Sequence, residues 1–461
     1  METNSNDATI VSPESHGDAT IVVQGTGAAT VVSTAPVAAG DATVMAQALQ
    51  TVDLALLKPE VTLNLMVHNP YALADARSEN YLLCELSGAF MGQKLVRPPV
   101  NLSIVLDKSG SMEGRPLEYV KEACRHLIDK LGPADTLSIV TFAENVDVVL
   151  AQSPVTMKEA LKAQLDLIRP RGTTNLYGGM TAGANQLAMA KGATHLSRII
   201  LLTDGEANEG VTEYGEIIAK ARGIKRDGFS VSTIGVGVEY NEELMRGIAK
   251  NTLGNYYYVD AVSDLPRVFE TELATLFEVV AKAVRMTLKL PKGVRLDKFY
   301  GREVFADGGM ATVELPDIVA GQPQNLLMKL VFDAHPAARF RALESTISFE
   351  YLGQTSRTEM PAESVVQFTT DRKQILDSIN PKVDAVMRVK DVVAEISRAK
   401  QLLAHDAGTA TVIIDRAKTV LMMAGREGDA TLIASAADLL ASGKLDAADK
   451  TLGATSWELE E

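Results

Sequence analysis

The sequence predicts an α/β fold: a doubly wound, mostly parallel sheet inserted in a flanking antiparallel β-sandwich, with a C-terminal helical segment and a disordered N-terminal tail. Strand-like and helix-like segments alternate from about residue 98 to 282, which is typical of a doubly wound sheet. Period-two apolar patterns lie on both sides of that region, and residues 1–52 contain no Phe, Tyr, Trp, Lys or Arg. These changes in pattern divide the chain into the segments 1–55, 56–97, 98–282, 283–371 and 372–461.

The composition is that of a globular protein with an acidic surface. Apolar residues make up 46% of the 461 residues and charged residues 23%, and the formal net charge is −14. This charge argues against nucleic acid and anionic membranes as partners, and no apolar run reaches the roughly 18 residues of a membrane-spanning helix. The first Lys or Arg is Lys58, so we expect no secretion signal. Cys84 and Cys124 are too few for a disulfide framework, so we expect a cytoplasmic protein.

The side chains of the N-terminal tail are polar or small, so the tail buries too little apolar surface to offset the entropy lost on ordering. We therefore predict that it is disordered. It nevertheless repeats a short motif: Asp-Ala-Thr-Ile-Val at 7–11 and 18–22 returns in looser form at 28–32 and 41–45. A threonine with an acid before it and β-branched residues after it resembles substrates of bacterial Ser/Thr kinases. That resemblance implies a kinase and a forkhead-associated domain protein, which binds phosphothreonine, as partners; a compositionally biased linker is the alternative. The candidate phosphoacceptors are Thr9, Thr20, Thr30 and Thr43.

Apolar periodicity places the remaining elements. Strands are predicted before the central region at 61–67 and 80–86 and after it at 284–290, 311–315, 326–332, 345–351 and 365–368. Within it we predict a strand pair at 136–142 and 146–150, later strands at 229–237 and 256–259, and helices at 157–168, 178–191, 212–227, 241–251 and 263–282. Residues 372–455 read as a helical hairpin or bundle, used either for packing on the sandwich or for oligomerisation, and residues 456–461 are expected to fray.

Three stretches of the central region carry oxygen-bearing side chains where a strand ends or a helix begins. The apolar strand 100–106 is followed by Asp107, Ser109 and Ser111 at alternate positions of a glycine-containing loop. A second buried strand, 198–203, runs into Asp204, and the polar turn 172–175 precedes a helix. Because open α/β sheets bind ligands at the carboxyl ends of their strands, we expect these oxygens to converge. Carboxylate and hydroxyl oxygens suit a hard cation.

This set of motifs resembles the metal-ion-dependent adhesion site of the von Willebrand factor type A (VWA) family, in particular its bacterial intracellular members. The family pattern D-x-S-x-S, then Thr, then Asp before Gly falls on Asp107, Ser109, Ser111, Thr174 and Asp204. Thr173 is the alternative to Thr174, which is preferred because it directly precedes Asn175. The resemblance implies a Mg²⁺ site, with Mn²⁺ as the other candidate ion, that accepts an Asp or Glu of a protein partner. Five protein oxygens leave at least one position of an octahedral Mg²⁺ shell for such a ligand.

We therefore predict a non-enzymatic, Mg²⁺-dependent adaptor for protein–protein interaction. The six histidines are dispersed, and no nucleophile-elbow, zincin or P-loop motif occurs. Two alternatives remain open: a regulatory or non-catalytic subunit of a metal-handling or hydrolytic enzyme complex, and an exported adhesin.

Overall fold

The computed structural model of the chain describes residues 21–24, 28–31, 59–90, 97, 99–190, 196–307, 309–352, 354 and 356–460. Within the predicted tail, the described residues form one antiparallel hairpin of β1 (Ile21–Gln24) and β2 (Ala28–Val31). Thr30 lies in β2 opposite Val22. The other candidate phosphoacceptors, Thr9, Thr20 and Thr43, lie outside the described residues.

The described residues 59–90, directly before the central region, form three strands, and two of these match the predicted alternation of apolar residues. The strands are β3 (Pro59–Val67), β4 (Tyr71–Leu73) and β5 (Ser78–Phe90). Strand β4 was not predicted, because its three residues are too few to display a period.

The central region is a six-stranded sheet with helices between most of its strands. Its strands are β6 (Val100–Asp107), β7 (Thr136–Phe142), β8 (Val146–Pro154), β9 (Leu196–Thr203), β10 (Ser230–Val236) and β11 (Tyr256–Val259). The spatial order is β11-β10-β9-β6-β7-β8, and all neighbours are parallel except β7 and β8. Every residue of β6 is buried, as expected for a strand covered by helices on both faces. The predicted doubly wound sheet is confirmed.

Among the described residues, six α-helices accompany this sheet. They are α1 (Arg115–Lys130), α2 (Lys158–Leu165), α3 (Leu176–Met189), α4 (Tyr214–Arg226), α5 (Glu242–Thr252) and α6 (Leu265–Phe277). The prediction of a helix over 263–282 is wrong at its end, because strand β12 (Val279–Lys289) begins two residues after α6. Val279 and Ala281 pair with the neighbouring strands, so the alternating pattern starts before the predicted boundary at 282.

The sandwich is completed by strands that follow the central region. They are β12, β13 (Val294–Phe299), β14 (Phe305–Asp307), β15 (Met310–Glu314), β16 (Ile318–Val319), β17 (Gln324–Phe332), β18 (Arg339–Tyr351) and β19 (Arg357–Thr369). One sheet has the order β14-β15-β12-β18-β19-β4, with β16 beside β12, and the other has the order β13-β17-β5-β3. Because strands from both flanks of the chain pair with each other, the central region is an insertion, as predicted.

The C-terminal segment is helical, as predicted, and contacts both other regions. Its helices are α7 (Arg372–Leu376), α8 (Pro381–Leu402), α9 (Ala407–Met423), α10 (Glu427–Ala441) and α11 (Leu445–Glu460). Val383 of α8 packs against Leu83 and Leu327 of the sandwich. No helix among the described residues is long and apolar enough to cross a bilayer.

Helix α11 corrects the expectation that residues 456–461 fray, since it continues to Glu460. Trp457 is buried, and its ring lies 5.9 Å from that of Tyr256 on β11. Lys450 Nζ donates a 2.8 Å hydrogen bond to the carbonyl of Tyr240. Burial of a large aromatic side chain against the central sheet therefore holds the last helix in place.

Candidate metal centre

The predicted site residues lie at the carboxyl edge of the six-stranded sheet. Asp107 is the last residue of β6, and Ser109 and Ser111 follow in its loop. Asp204 directly follows β9, the neighbour of β6, and Thr174 lies just before α3. The parallel arrangement of β6 and β9 brings these loops to the same end of the sheet.

Asp107 is held rigidly from two sides. Its side chain is fully buried and accepts a 2.8 Å hydrogen bond from the backbone N–H of Ser109 on Oδ1. Thr203 Oγ1, at the end of β9, donates to Oδ2 over 2.5 Å. These two bonds fix the carboxylate between the strands.

A chain of side-chain hydrogen bonds joins the β6 loop to the β9 loop. Ser109 Oγ and Ser111 Oγ lie 3.0 Å apart, within hydrogen-bond distance. Ser111 Oγ donates to Asp204 Oδ1 over 2.8 Å. Four of the five predicted ligands are therefore connected through each other or through the Ser109 backbone.

The structure distinguishes Thr174 from Thr173. Thr174 is buried, and its backbone N–H donates to Asn208 Oδ1 over 2.8 Å. A Cβ placed on Gly205 would lie 3.7 Å from Thr174 Oγ1 and 3.9 Å from Ser111 Oγ, so both hydroxyls face the same small region. Thr173 is exposed and donates to Glu209 Oε2 over 3.3 Å instead. Thr174 is thus the threonine that joins the cluster.

The carboxylates of the cluster are short of positive charge. Burial, opposed by the hydrogen bonds from Thr203 and Ser109 and reinforced by the charge of Asp204, raises the pKa of Asp107 to about 6. Burial also raises the pKa of Asp204. Among the residues that the structure describes, no Lys or Arg forms an ion pair with either carboxylate, because the nearby Lys108 ammonium binds Asp147. Two acidic and three hydroxyl groups without a cation fit a hard divalent ion.

Three residues support the cluster, and of these only Asn175 entered the sequence-based prediction, where it favoured Thr174 over Thr173. Thr203 donates to Asp107, and Asn208 holds the Thr174 backbone. Asn175 caps α3 by accepting from the backbone N–H of Gly178 over 2.9 Å. The sequence contained a signal for two of these residues: Thr203 directly precedes Asp204, and Asn175 directly precedes the helix. Nothing local in the sequence marks Asn208, which is 34 residues from its partner.

Known proteins resemble this chain in sequence and fold. The sequence model of the von Willebrand factor type A domain matches residues 101–271. The chain is 27% identical over 339 residues to the uncharacterized protein sll0103 of Synechocystis, covering 70% of this chain and 79% of that one. It is 32% identical over 181 residues to inter-alpha-trypsin inhibitor heavy chain H1 of Sus scrofa, covering 37% of this chain and only 20% of that protein.

A solved structure shares most of this architecture. The von Willebrand factor type A protein from Catenulispora acidiphila superposes with a TM-score of 0.70 over 83% of this chain and 91% of that chain. Its sequence identity is 18%, so this likeness concerns the fold alone. The family match covers the six-stranded sheet and most of its helices, including every residue of the oxygen cluster. The inserted region of this chain is therefore a von Willebrand factor type A domain.

Proposed function

We propose that this protein is an adaptor that binds an acidic residue of a protein partner through a divalent cation. Asp107, Ser109, Ser111, Thr174 and Asp204 form the cation site in this proposal. The observation that carries it is the fully buried Asp107 carboxylate, which has hydrogen-bond donors but no cationic side chain among the described residues. A buried carboxylate without a counter-charge is costly, and a bound cation removes that cost.

Mg²⁺ is the proposed ion, and Mn²⁺ has the same preference for oxygen ligands. Bound there, the ion would supply a Lewis-acidic position for an external carboxylate. The protein's own contribution is to hold its oxygens in place. Ser111 links the two acidic loops through Asp204, and Asn208 anchors the backbone of Thr174.

The proposed role is binding without catalysis. Four histidines lie in the described part of the chain, and none of them enters the hydrogen bonds of the cluster: His68, His126, His335 and His405. Both cysteines are free thiols and fully buried, and burial raises the pKa of Cys124 to about 12. Unreactive reduced thiols agree with the cytoplasmic location that we propose.

Affinity capture from lysate tests the binding role. The wild-type protein and an Asp107→Ala variant are immobilised and washed in Mg²⁺ or in EDTA. Asp260→Ala, which removes an exposed carboxylate after β11, is the matched control. We expect partners that are retained by wild type and the control in Mg²⁺, and lost in EDTA and in Asp107→Ala. A partner retained equally under all conditions would leave the cluster without its proposed role.

A separate proposal concerns the tail. Its repeated motif supports phosphorylation by a Ser/Thr kinase at Thr9, Thr20, Thr30 or Thr43 and recognition by a forkhead-associated domain protein. Mass spectrometry of protein isolated from its native cells is expected to detect phosphothreonine at one or more of these positions. Unmodified threonines under all growth conditions would remove the kinase link and leave the binding role of the VWA domain intact.

A further inference from the structure

The loop after β9 carries a run of acids with no basic residue. Residues 204–213 include Asp204 of the cluster together with Glu206, Glu209 and Glu213, and contain no Lys, Arg or His. These three glutamates are exposed, and none of them forms an ion pair with another described residue. Glu209 accepts a hydrogen bond from Thr173, the residue beside the ligand Thr174, so the acidic loop borders the cluster directly.

The same imbalance continues on the next loop towards the sheet edge. Residues 237–241, which follow β10, include the exposed Glu239 and no basic residue. Strand β10 is the neighbour of β9 on the side away from β6. The two loops that follow β9 and β10 therefore contribute acidic side chains and no basic ones. The Lys450 ammonium of α11, which binds the Tyr240 carbonyl of the second loop, is buried.

The opposite side of the cluster is charge-balanced. There the Lys108 ammonium binds Asp147, and the Arg171 guanidinium lies 3.5 Å from Glu144 and 3.8 Å from Asp147. The exposed Glu113 and the exposed Arg115, between the β6 loop and α1, add one charge of each sign. Charged side chains are thus unevenly distributed along the carboxyl edge, with acids that form no ion pair to another described residue on the loop 206–213.

We propose that the partner's metal-binding acid is flanked by Lys or Arg residues that lie over Glu206, Glu209 and Glu213. This inference rests on the proposed function, because the acid must first be held by the cation. The chain has a net charge of −14, so an acidic segment without basic neighbours is repelled both by the whole protein and by this loop. Lys or Arg residues beside the partner's acid turn this repulsion into attraction. They also favour that acid over other acidic residues, which the metal ion alone cannot distinguish.

The test uses an array of synthetic peptides with one central Asp and flanks of Lys, Ser or Glu, probed with the full-length protein in Mg²⁺ and in EDTA. Three exposed charges, each contributing a factor of about two to three, give an expected preference for Lys over Ser flanks of about tenfold at low salt. Replacing the central Asp by Asn is expected to abolish the Mg²⁺-dependent signal.

Two triple variants isolate the loop. Glu206→Lys/Glu209→Lys/Glu213→Lys is expected to invert the preference from Lys to Glu flanks. The matched control reverses three exposed acids on the sandwich and the helical segment, Glu359→Lys/Glu427→Lys/Asp438→Lys, and so makes the same change in net charge. This control is expected to keep the wild-type preference for Lys flanks.

The outcomes separate the two claims. Mg²⁺-dependent binding that is insensitive to the flanks, or a control variant that inverts the preference as strongly as the loop variant, overturns the inference and leaves the proposed function standing. The absence of any Mg²⁺-dependent binding to Asp peptides overturns both.

Discussion

Asp107 and Glu272 are both fully buried, yet they lie at opposite edges of the VWA sheet and meet different partners. Glu272 of α6, at the amino edge, accepts a 2.7 Å hydrogen bond from Arg198 Nη1. It also accepts hydrogen bonds from Ser232, Asn255 and Tyr257. Asp107, at the carboxyl edge, accepts hydrogen bonds from the Ser109 backbone N–H and the Thr203 hydroxyl, and it forms no ion pair with another described residue.

The pKa values of the two carboxyl groups shift in opposite directions. Burial pushes the pKa of Glu272 upwards, but the Arg198 charge and the hydrogen bonds outweigh it, and its pKa lies below the usual value. At Asp107 burial prevails and raises the pKa to about 6. The amino edge is thus complete within the chain, whereas the carboxyl edge is short of a cation. Burial alone therefore does not distinguish a candidate binding site from a structural ion pair, whereas the presence or absence of a counter-charge does.

Breaking the Arg198–Glu272 ion pair at the amino edge is expected to have the largest effect on stability. Glu272→Ala leaves the buried Arg198 guanidinium with Asp317, 3.6 Å away, as its remaining acidic partner among the described residues. The variant is expected to cost about 3–5 kcal/mol of unfolding free energy. Urea denaturation measures this loss of unfolding free energy. The control is Glu216→Ala, which removes an exposed side chain on α4 and is expected to change the unfolding free energy little. Equal losses in the two variants would contradict the account of this edge.

Supplying the missing cation at the carboxyl edge is expected to stabilise the protein by a somewhat smaller amount. Mg²⁺ at a hundred times its dissociation constant raises the unfolding free energy by about 2.7 kcal/mol, because it binds only the folded state. Thermal denaturation with and without Mg²⁺ measures this change. The increase should vanish in Asp107→Asn and persist in Glu272→Gln, and an equal increase in all three proteins would indicate nonspecific binding.

Acid should weaken the amino edge in a predictable direction. Because the pKa of Glu272 is lower in the folded state than its ordinary value of 4.5, its contribution is present above pH 4.5 and is lost as pH falls through the folded value. The difference in unfolding free energy between wild type and Glu272→Gln is therefore expected to shrink below pH 4.5. Urea titrations at several pH values measure it, and a difference that grows towards acid would reverse the assigned sign.

The smallest expected effect is the removal of the Asp107 charge without metal. In EDTA at neutral pH, Asp107→Asn is expected to raise the unfolding free energy by about 1 kcal/mol, because a neutral amide is less costly to bury than a carboxylate. The amide keeps one acceptor for the donors of Ser109 and Thr203. A loss of several kcal/mol on urea denaturation would mean that the carboxylate is already neutralised within the chain.

The carboxyl edge was more accessible to sequence reasoning than the amino edge. Its candidate ligands follow buried strands or precede a helix. The apolar pattern of those strands and the place of each ligand at a strand end therefore predict that they lie close together. The Arg198–Glu272 pair spans 74 residues, and no local pattern marks it. The burial of Trp457 depends likewise on Tyr256, some 200 residues earlier, which is why a helix end was expected to fray. Short strands such as β4 and β16 carry no measurable period and were also missed.

The most direct test of the central claim is an anomalous difference map from a crystal of this protein soaked in Mn²⁺. We expect one strong peak at the carboxyl edge, within bonding distance of oxygens from Asp107, Ser109, Ser111, Thr174 or Asp204, and no peak beside Glu272. A map without density at the cluster under saturating Mn²⁺, or with the ion bound elsewhere, would contradict it.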